Sequence, residues 1–248
     1  MKILIALTLS FFSLNLQAQV SLPEFKKLVD VFHQEFDQEL RQKNSLMIIN
    51  NPTGGDADFW WKMDQRHASY SSYQDPNGSL THFLFLFGGY ARIPGMTIEG
   101  VAMTLCHELG HGIGSAPLKE CGEKRCASVE GQADYFAARF CIKRILKRLP
   151  VTLSTPLDSY TEQKCQERFK TKSELEMCYR SFRVLENERL FFRTEEGSAV
   201  ETYYDRPDLS VVDKVELDPY FYPEAQCRLD TMVNGILELE RPLCWWRP

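Results

Sequence analysis

The sequence lacks several features that would place it in a nucleic-acid-binding or membrane-spanning class. It contains no run rich in lysine and arginine, and its formal net charge is -5. It therefore offers no concentrated positive surface for nucleic acid or anionic lipid. No uninterrupted apolar run reaches the roughly 20 residues that a transmembrane helix needs. Internal repeats and low-complexity linkers are also missing, so nucleic-acid partners and stable membrane insertion are not expected.

The first 18 residues have the layout of a secretory signal peptide. Lys2 precedes an apolar run that Ser10, Ser13 and Asn15 interrupt, and the small residue Ala18 stands at the expected cleavage site. Cleavage after about Ala18 predicts a secreted or periplasmic protein, and no cysteine follows the cut to carry a lipid anchor. The chain has 248 residues, of which 44% are hydrophobic and 25% charged, so a globular core is expected.

All eight cysteines follow the predicted signal peptide. An even number in an exported chain favours a set of disulfide bonds. A cysteine zinc site is the alternative, but no C-x-x-C pair supports it. Proximity along the chain favours three local pairs and leaves a fourth pair that would join two predicted helices. The predicted pairs are Cys165 with Cys178, Cys227 with Cys244, Cys121 with Cys126, and Cys106 with Cys141.

Hydrophobic periodicity predicts an N-terminal helix followed by a small β-sheet. Apolar residues recur at helical spacing from about Pro23 to Gln42, and the short run 46–49 is β-like. Two further β-like runs, 66–73 and 79–87, flank an Asp-Pro-Asn-Gly turn. These two runs predict a β-hairpin.

Two glycines and two histidines on this hairpin raise the question of ligand contacts. Gly88 and Gly89 could admit another backbone, so that a peptide lies along 83–90, or they could mark a simple bulge or turn. Both interpretations remain open. His67 and His82 stand apart from the histidines further along the chain, and no ligand role is predicted for either.

A pair of helices is predicted in the middle of the chain. Thr97 is a suitable N-cap for a helix that ends at Gly112 to Gly114. A cysteine-bearing loop over about 115–127 follows, and then a second helix over about 128–148, which Pro150 terminates.

The C-terminal hundred residues carry a weaker pattern. Helical periodicity returns over 161–193 and gives way to a turn-rich segment and an aromatic, proline-rich tail. Packing of Trp245 and Trp246 against the body of the protein is expected, because large aromatic side chains are usually buried.

The segment Leu105–Gly114, LCHELGHGIG, contains the pattern H-E-x-x-H. Residues four apart on a helix lie one above the other, so His107 and His111 present two imidazoles that one metal ion can bridge. Glu108 is rotated about 100° from this face and lies beside the metal, where a general base is needed. The pattern predicts a metal-activated hydrolytic site.

The second predicted helix supplies candidates for the remaining contacts. Glu130 could reach the metal as third ligand, and Asp134, one turn later, could accept a hydrogen bond from the outer nitrogen of a ligand histidine. Small residues at Ala133, Ala137 and Ala138 would let the two helices lie close together. The alternative is that both acids are solvent-facing charges on an amphipathic helix.

HELGH followed by EGQAD resembles the HExxH…ExxxD pattern of the gluzincin zinc metallopeptidases, and Glu-x-x-Ala-Asp is similar to their HtpX-like branch. The match spans about 97–141. The resemblance implies His107, His111 and Glu130 as ligands of one zinc ion, Glu108 as general base and Asp134 as support for a ligand histidine.

The resemblance also implies an α+β, zincin-like fold. Its parts would be an N-terminal helix, a small mixed or antiparallel sheet, the HExxH helix and a ligand helix. Residues 19–150 would form this metallopeptidase core, and the helical, loop-rich, disulfide-linked segment 151–248 would pack on it.

The predicted function is hydrolysis of peptide bonds in a peptide or protein substrate. Zinc would activate a water molecule, and Glu108 would take its proton. The alternatives are a zinc hydrolase of a non-protein amide, such as one in a cell wall, and a non-catalytic zinc-binding protein stabilised by disulfides. The sequence does not rank the oxyanion donors, for which the candidates are Tyr135, Tyr179, Tyr203, Tyr204 and His82. The oligomeric state is not predicted.

Overall fold

A computed structural model describes residues 20–122, 124–151, 157–195 and 200–247. The predicted signal peptide, 1–18, lies outside the described residues. The first element is helix α1 (Leu22–Gln42), which starts at a capping box. The Ser21 hydroxyl accepts from the Glu24 amide, and the Glu24 carboxylate accepts from the Ser21 amide at 2.8 Å. The predicted helix is confirmed, and its apolar face is buried.

The main sheet contains three strands: β1 (Ser45–Ile49), β2 (Ala68–Gln74) and β3 (Leu80–Leu86). β3 lies in the middle, parallel to β1 and antiparallel to β2. The short helix α2 (Phe59–Lys62) follows β1, and α3 (Gly88–Ala91) follows β3. The predicted hairpin is confirmed, since β2 and β3 pair along their whole length.

The interpretation of 83–90 as a substrate-binding edge is wrong. β3 is hydrogen-bonded to a strand on each side, so it has no free edge to offer a peptide. A Cβ added at Gly88 would collide with the carbonyl oxygen of Trp61, and one at Gly89 with the carbonyl of Asp64. These glycines do admit a close backbone, but it belongs to the same chain.

Helix α4 (Ile98–Ile113) is the central element of the fold. As predicted, Thr97 caps it, with its hydroxyl accepting from the Gly100 amide at 3.1 Å, and Gly114 ends it. α4 packs against β2 and β3 on one side and against later helices on the other. It is buried over most of its length, which is consistent with its high content of small and apolar residues.

The region after α4 differs from the prediction in two places. The expected loop contains a hairpin of β4 (Leu118–Cys121) and β5 (Lys124–Ser128). The second helix begins at Glu130, since Ser128 still belongs to β5, and it consists of α5 (Glu130–Phe136), a π-helical turn (Ala137–Cys141) and α6 (Ile142–Leu146). Periodicity alone does not separate a π-helical turn from an α-helix, because both are helical and the turn spans only one winding.

The C-terminal part consists of α7 (Ser159–Arg168), α8 (Lys172–Glu195) and α9 (Ala225–Ile236). The single helical stretch predicted over 161–193 is thus two helices. α9, which was expected to be tail, packs against α5, the π-helical turn and α8. Apolar residues of α8 and α9 belong to the same hydrophobic cluster as those of α1, β3 and α4.

Trp245 is buried, as predicted, and its Nε1 donates to the Thr231 hydroxyl at 2.8 Å. Its ring fills the space that a Cβ at Gly131 would occupy. The C-terminal tail is thereby held against the start of α5. No helix among the described residues has the length and hydropathy required to cross a membrane.

The eight cysteines form the four predicted disulfide bonds. Cys106–Cys141 joins α4 to the end of the π-helical turn, and both cysteines are fully buried. This bond fixes the two segments that carry the H-E-x-x-H and Glu-x-x-x-Asp patterns relative to each other.

Removal of the Cys106–Cys141 bond by a double alanine substitution is expected to lower the free energy of unfolding by about 3–4 kcal/mol. The bond closes a loop of 35 residues, whereas Cys121–Cys126 closes one of 5. The entropy that a disulfide removes from the unfolded chain rises with the length of the loop it closes. Removal of Cys121–Cys126 should therefore lower the free energy of unfolding by about 2 kcal/mol less than removal of Cys106–Cys141. Urea unfolding of both variants measures the difference, and equal losses would contradict this explanation.

Candidate metal centre

Helices α4 and α5 lie side by side, and this contact creates the candidate site. His107 and His111 are one turn apart on α4, and Glu130 is the first residue of α5. A Cβ at Gly110 would lie 2.9 Å from the carbonyl oxygen of Ala133. Only glycine permits the two backbones to approach this closely, so the small residues of both helices bring the carboxylate of Glu130 next to the histidines.

The two imidazoles and the carboxylate converge on one point. His107 Nε2 is 3.2 Å from Glu130 Oε2, and His111 Nε2 is 3.4 Å from Glu130 Oε1. One ligand atom from each residue lies within 4.8 Å of the others. Glu130 is 1% exposed and Asp134 is fully buried, so the alternative of solvent-facing charges is wrong.

The outer nitrogens of both histidines are held by protein oxygens. His107 Nδ1 lies 2.7 Å from Asp134 Oδ1, and His111 Nδ1 lies 2.8 Å from the Ser128 carbonyl oxygen. Because a carboxylate and a carbonyl only accept, Nδ1 carries the proton in each ring and Nε2 is directed toward Glu130. This is the arrangement that metal-ligating histidines adopt.

Arg228 on α9 also contacts Asp134. Its Nε donates to Asp134 Oδ2 at 2.8 Å and its Nη2 to Oδ1 at 3.0 Å. Sequence reasoning missed this residue, because α9 was not recognised. The signal was present in the apolar spacing of Leu229, Met232, Val233 and Ile236, which is that of a helix packed on one face.

The acids and histidines of the cluster shift one another's pKa values strongly. Burial would lower the pKa of His107, but the charges of Asp134 and Glu130 outweigh it and raise the pKa to about 10. Burial lowers the pKa of His111 to about 4. Burial would raise the pKa of Glu130, yet the neighbouring His107 and His111 hold it well below its usual range.

Lys119 on β4 also contacts the cluster. Its Nζ lies 2.6 Å from Glu130 Oε1, while Glu130 Oε2 is buried, lies 3.2 Å from His107 Nε2 and makes no hydrogen bond with a described residue. A buried carboxylate oxygen without a partner is costly unless a cation completes its contacts. The donor set of two imidazole nitrogens and one carboxylate therefore fits a divalent metal ion.

Glu108 lies next to this cluster and lines the same cleft. It is 6% exposed, and burial raises the pKa of its carboxyl group to about 7, against the opposing charge of His107. A group whose pKa is close to neutrality can both take up and release a proton. Glu108 thus borders the same cleft as His107, His111 and Glu130.

The cleft has a volume of about 370 Å³ and runs between β2, α4, α8 and the segment that precedes α9. None of the five predicted oxyanion donors lines it. Tyr135 donates to the Leu239 carbonyl at 2.6 Å, and the hydroxyl of Tyr204 lies 2.8 Å from Glu186. The tyrosines that do line the cleft are Tyr70, Tyr90, Tyr220 and Tyr222.

The remaining histidines lie outside the cluster. His82 is buried, and its Nδ1 lies 2.8 Å from the Tyr70 hydroxyl. His67 lines the cleft and stacks on Phe87. His33, on α1, pairs with Asp37 at 3.0 Å.

The described residues therefore bring together His107, His111 and Glu130 as a group able to hold a metal ion, with Glu108 at its side. Asp208, Cys227 and Cys244 form a second group whose atoms lie close enough to hold a metal ion, but the two sulfurs are bonded to each other in a disulfide. In comparisons with known proteins, no family model, curated protein or solved structure matches this chain.

Proposed function

We propose that this chain is a zinc metallopeptidase of the gluzincin type, with a zincin-like arrangement of helices and sheet. One observation carries the proposal: His107, His111 and Glu130 converge on one point, and Glu108 faces the same cleft. A structural metal site has no need for an additional buried acid beside an accessible cleft.

The proposed metal is zinc because of the donor set. Two imidazoles and one carboxylate are the ligands of catalytic zinc sites, which keep a coordination position open. Structural zinc sites are usually closed by four ligands and rich in cysteine, whereas every cysteine here is in a disulfide. When bound, zinc supplies Lewis-acid polarisation of a carbonyl and activation of water at neutral pH.

Glu108 is the proposed general base. Its carboxylate takes a proton from the attacking water and passes it to the amine that leaves when the peptide bond breaks. Asp134 and the Ser128 carbonyl hold the proton on Nδ1 of each histidine, so that both Nε2 atoms stay available as ligands. Arg228 keeps Asp134 ionised in a buried position: its charge and that of His107 outweigh burial and lower the pKa of Asp134.

An extended peptide would bind along β2. This strand is at the edge of the three-stranded sheet, and Ala68, Ser69 and Tyr70 line the cleft. Its outer edge can add a further strand through main-chain hydrogen bonds, which recognise a backbone largely independently of sequence. The substrate proposed here is therefore a peptide or an unfolded protein segment.

An exported location is part of the proposal. Four disulfide bonds within 248 residues are typical of proteins in an oxidising compartment. Together with the predicted signal peptide they favour a secreted or periplasmic enzyme.

Incubation of the mature protein with unfolded casein tests the function. Hydrolysis is expected, together with its loss on treatment with a chelator and its recovery when zinc is added back. A protein that binds zinc but leaves casein and short peptides intact would refute the peptidase assignment. Release of product from a non-protein amide by such a protein would support the alternative hydrolase.

An Asp134→Asn substitution is expected to weaken zinc retention by about 10- to 100-fold. The amide is uncharged, so its oxygen accepts from His107 Nδ1 more weakly than the carboxylate does. Titration with a competing chelator measures the zinc affinity of each variant, normalised to its folded fraction. Asp37→Asn is the matched control, because Asp37 contacts His33 Nδ1 at 3.0 Å and neither residue lines the cleft. Equal zinc retention in both variants would remove Asp134 from its proposed role.

A further inference from the structure

A second buried acid lines the cleft and has no part in the proposed chemistry. Glu188, on α8, is 6% exposed, and its Oε1 has no hydrogen-bond partner among the described residues. It does not belong to the group that could hold the metal. A buried carboxylate oxygen that lacks a donor is costly in a folded protein, so such a group in the wall of a cleft points to a ligand that supplies one.

The charges around Glu188 leave room for a cation. The charge of Arg228 acts on Glu188, and its Nε and Nη2 donate to Asp134 Oδ2 and Oδ1 at 2.8 and 3.0 Å. One guanidinium therefore stands among two buried carboxylates, Asp134 and Glu188. Glu188 Oε1 itself has no donor among the described residues, and a positively charged group of a substrate would supply one.

Aromatic side chains form the rest of this end of the cleft. Tyr90 and Phe191 line it, with ring centroids 5.3 Å apart. The Tyr90 hydroxyl is held by Thr104, whose hydroxyl lies 2.7 Å away. A carboxylate bordered by aromatic rings suits an ammonium or guanidinium group, because the faces of the rings carry partial negative charge.

Glu188 and the proposed general base Glu108 line the same cleft. Thr104, which borders the same part of the cleft, precedes Glu108 by four residues on α4. One helical turn corresponds to about 5.4 Å along the axis. A long side chain next to the scissile bond could span this distance while its peptide group stays beside Glu108.

We propose that Glu188 determines specificity by binding a cationic group of the substrate next to the scissile bond. The cation is either a lysine or arginine side chain or the free amino terminus of the peptide, and both present N–H donors to a carboxylate. This inference rests on the proposed peptidase function and names the substrate class of that same site.

A set of quenched fluorescent peptides tests the proposal with the zinc-loaded, full-length mature protein. At each position flanking the scissile bond, lysine is compared with the uncharged norleucine, and arginine with citrulline, in peptides with free and with acetylated amino termini. For the wild type, kcat/KM for the cationic peptide is expected to exceed that for its uncharged partner by about 10-fold or more at one position.

The Glu188→Gln variant is expected to reduce this ratio to within about twofold. Because both peptides are hydrolysed by the same preparation, a lower zinc content or folded fraction cancels in the ratio. Glu176→Gln makes the same change at an exposed position on α8, where its partner is Lys172 at 3.7 Å, and it should retain the wild-type ratio.

The arms of the experiment separate the possible outcomes. A preference that acetylated peptides retain, and that Glu188→Gln abolishes, supports a side-chain cation. A preference confined to free amino termini and lost in the variant supports recognition of the peptide amine. Hydrolysis of all peptides at similar rates, or an unchanged ratio in Glu188→Gln, overturns the inference but leaves the peptidase function intact. No hydrolysis of any peptide overturns both.

Discussion

The Glu108→Gln variant is expected to hydrolyse peptides about 10²- to 10⁴-fold more slowly in kcat/KM than the wild type. The side-chain amide keeps the size of the carboxylate but takes up no proton from water. Glu108 is not among the residues that converge as metal ligands. The zinc content of the Glu108→Gln variant should therefore stay close to that of the wild type, at about one ion per chain.

The informative comparison is with His111→Ala. His111 is a proposed ligand with its Nε2 3.4 Å from Glu130 Oε1, so this variant should lose zinc and activity together. Metal analysis after dialysis and an assay on casein measure both quantities. Loss of zinc from Glu108→Gln, or activity within about threefold of wild type, would contradict the general-base role.

The Arg228→Met variant is expected to lose about 3–5 kcal/mol of stability to unfolding. Methionine preserves much of the length of the side chain and places an apolar group where the Arg228 guanidinium lies over the rings of Phe192 and Tyr222. It leaves the fully buried carboxylate of Asp134 with His107 as its remaining charged neighbour. Removal of one partner of a buried ion pair is strongly destabilising, because the remaining charge is left in the interior without compensation.

Urea unfolding in the presence of a chelator measures this loss without the contribution of bound metal. Combination with Asp134→Asn should recover part of the stability, because the buried carboxylate that lost both hydrogen bonds from Arg228 is then uncharged. Arg247→Met is the control: Arg247 is about half exposed and lies 3.9 Å from Asp213, so a change below about 1 kcal/mol is expected. A similarly small change in Arg228→Met would contradict the proposed burial cost.

The group that could hold a metal ion was predictable from the sequence because most of it depends on local geometry. Residues four apart on a helix share a face whatever surrounds the helix, and this holds for the pair His107 and His111 and for the pair Glu130 and Asp134. The contact between the two helices was predicted from their small residues, and Gly110 against Ala133 bears this out. Three of the four disulfides join cysteines separated by 17 residues or fewer, and proximity along the chain was enough to pair them.

The parts of the fold that were predicted wrongly or missed depend on contacts that local sequence patterns do not specify. The apolar run of β3 is compatible with either an edge or a central strand, and the order of strands in the sheet places it in the centre. The helix α9 lies in a segment rich in proline and aromatic residues, which masked its four-residue apolar spacing. The hairpin β4–β5 was expected to be a loop, yet its last residue, Ser128, holds His111.

The sequence by itself determined the pair of histidines, the acid between them, the second acidic pair and the pairing of the cysteines. These features follow from the helical repeat and from short separations along the chain. Only the tertiary structure decided which groups surround the candidate site: Arg228 lies 94 residues from Asp134, the Ser128 carbonyl comes from a neighbouring hairpin, and Glu188 reaches the cleft from α8. Contacts between distant elements depend on how whole faces pack against each other, and spacing within one element carries no information about that packing.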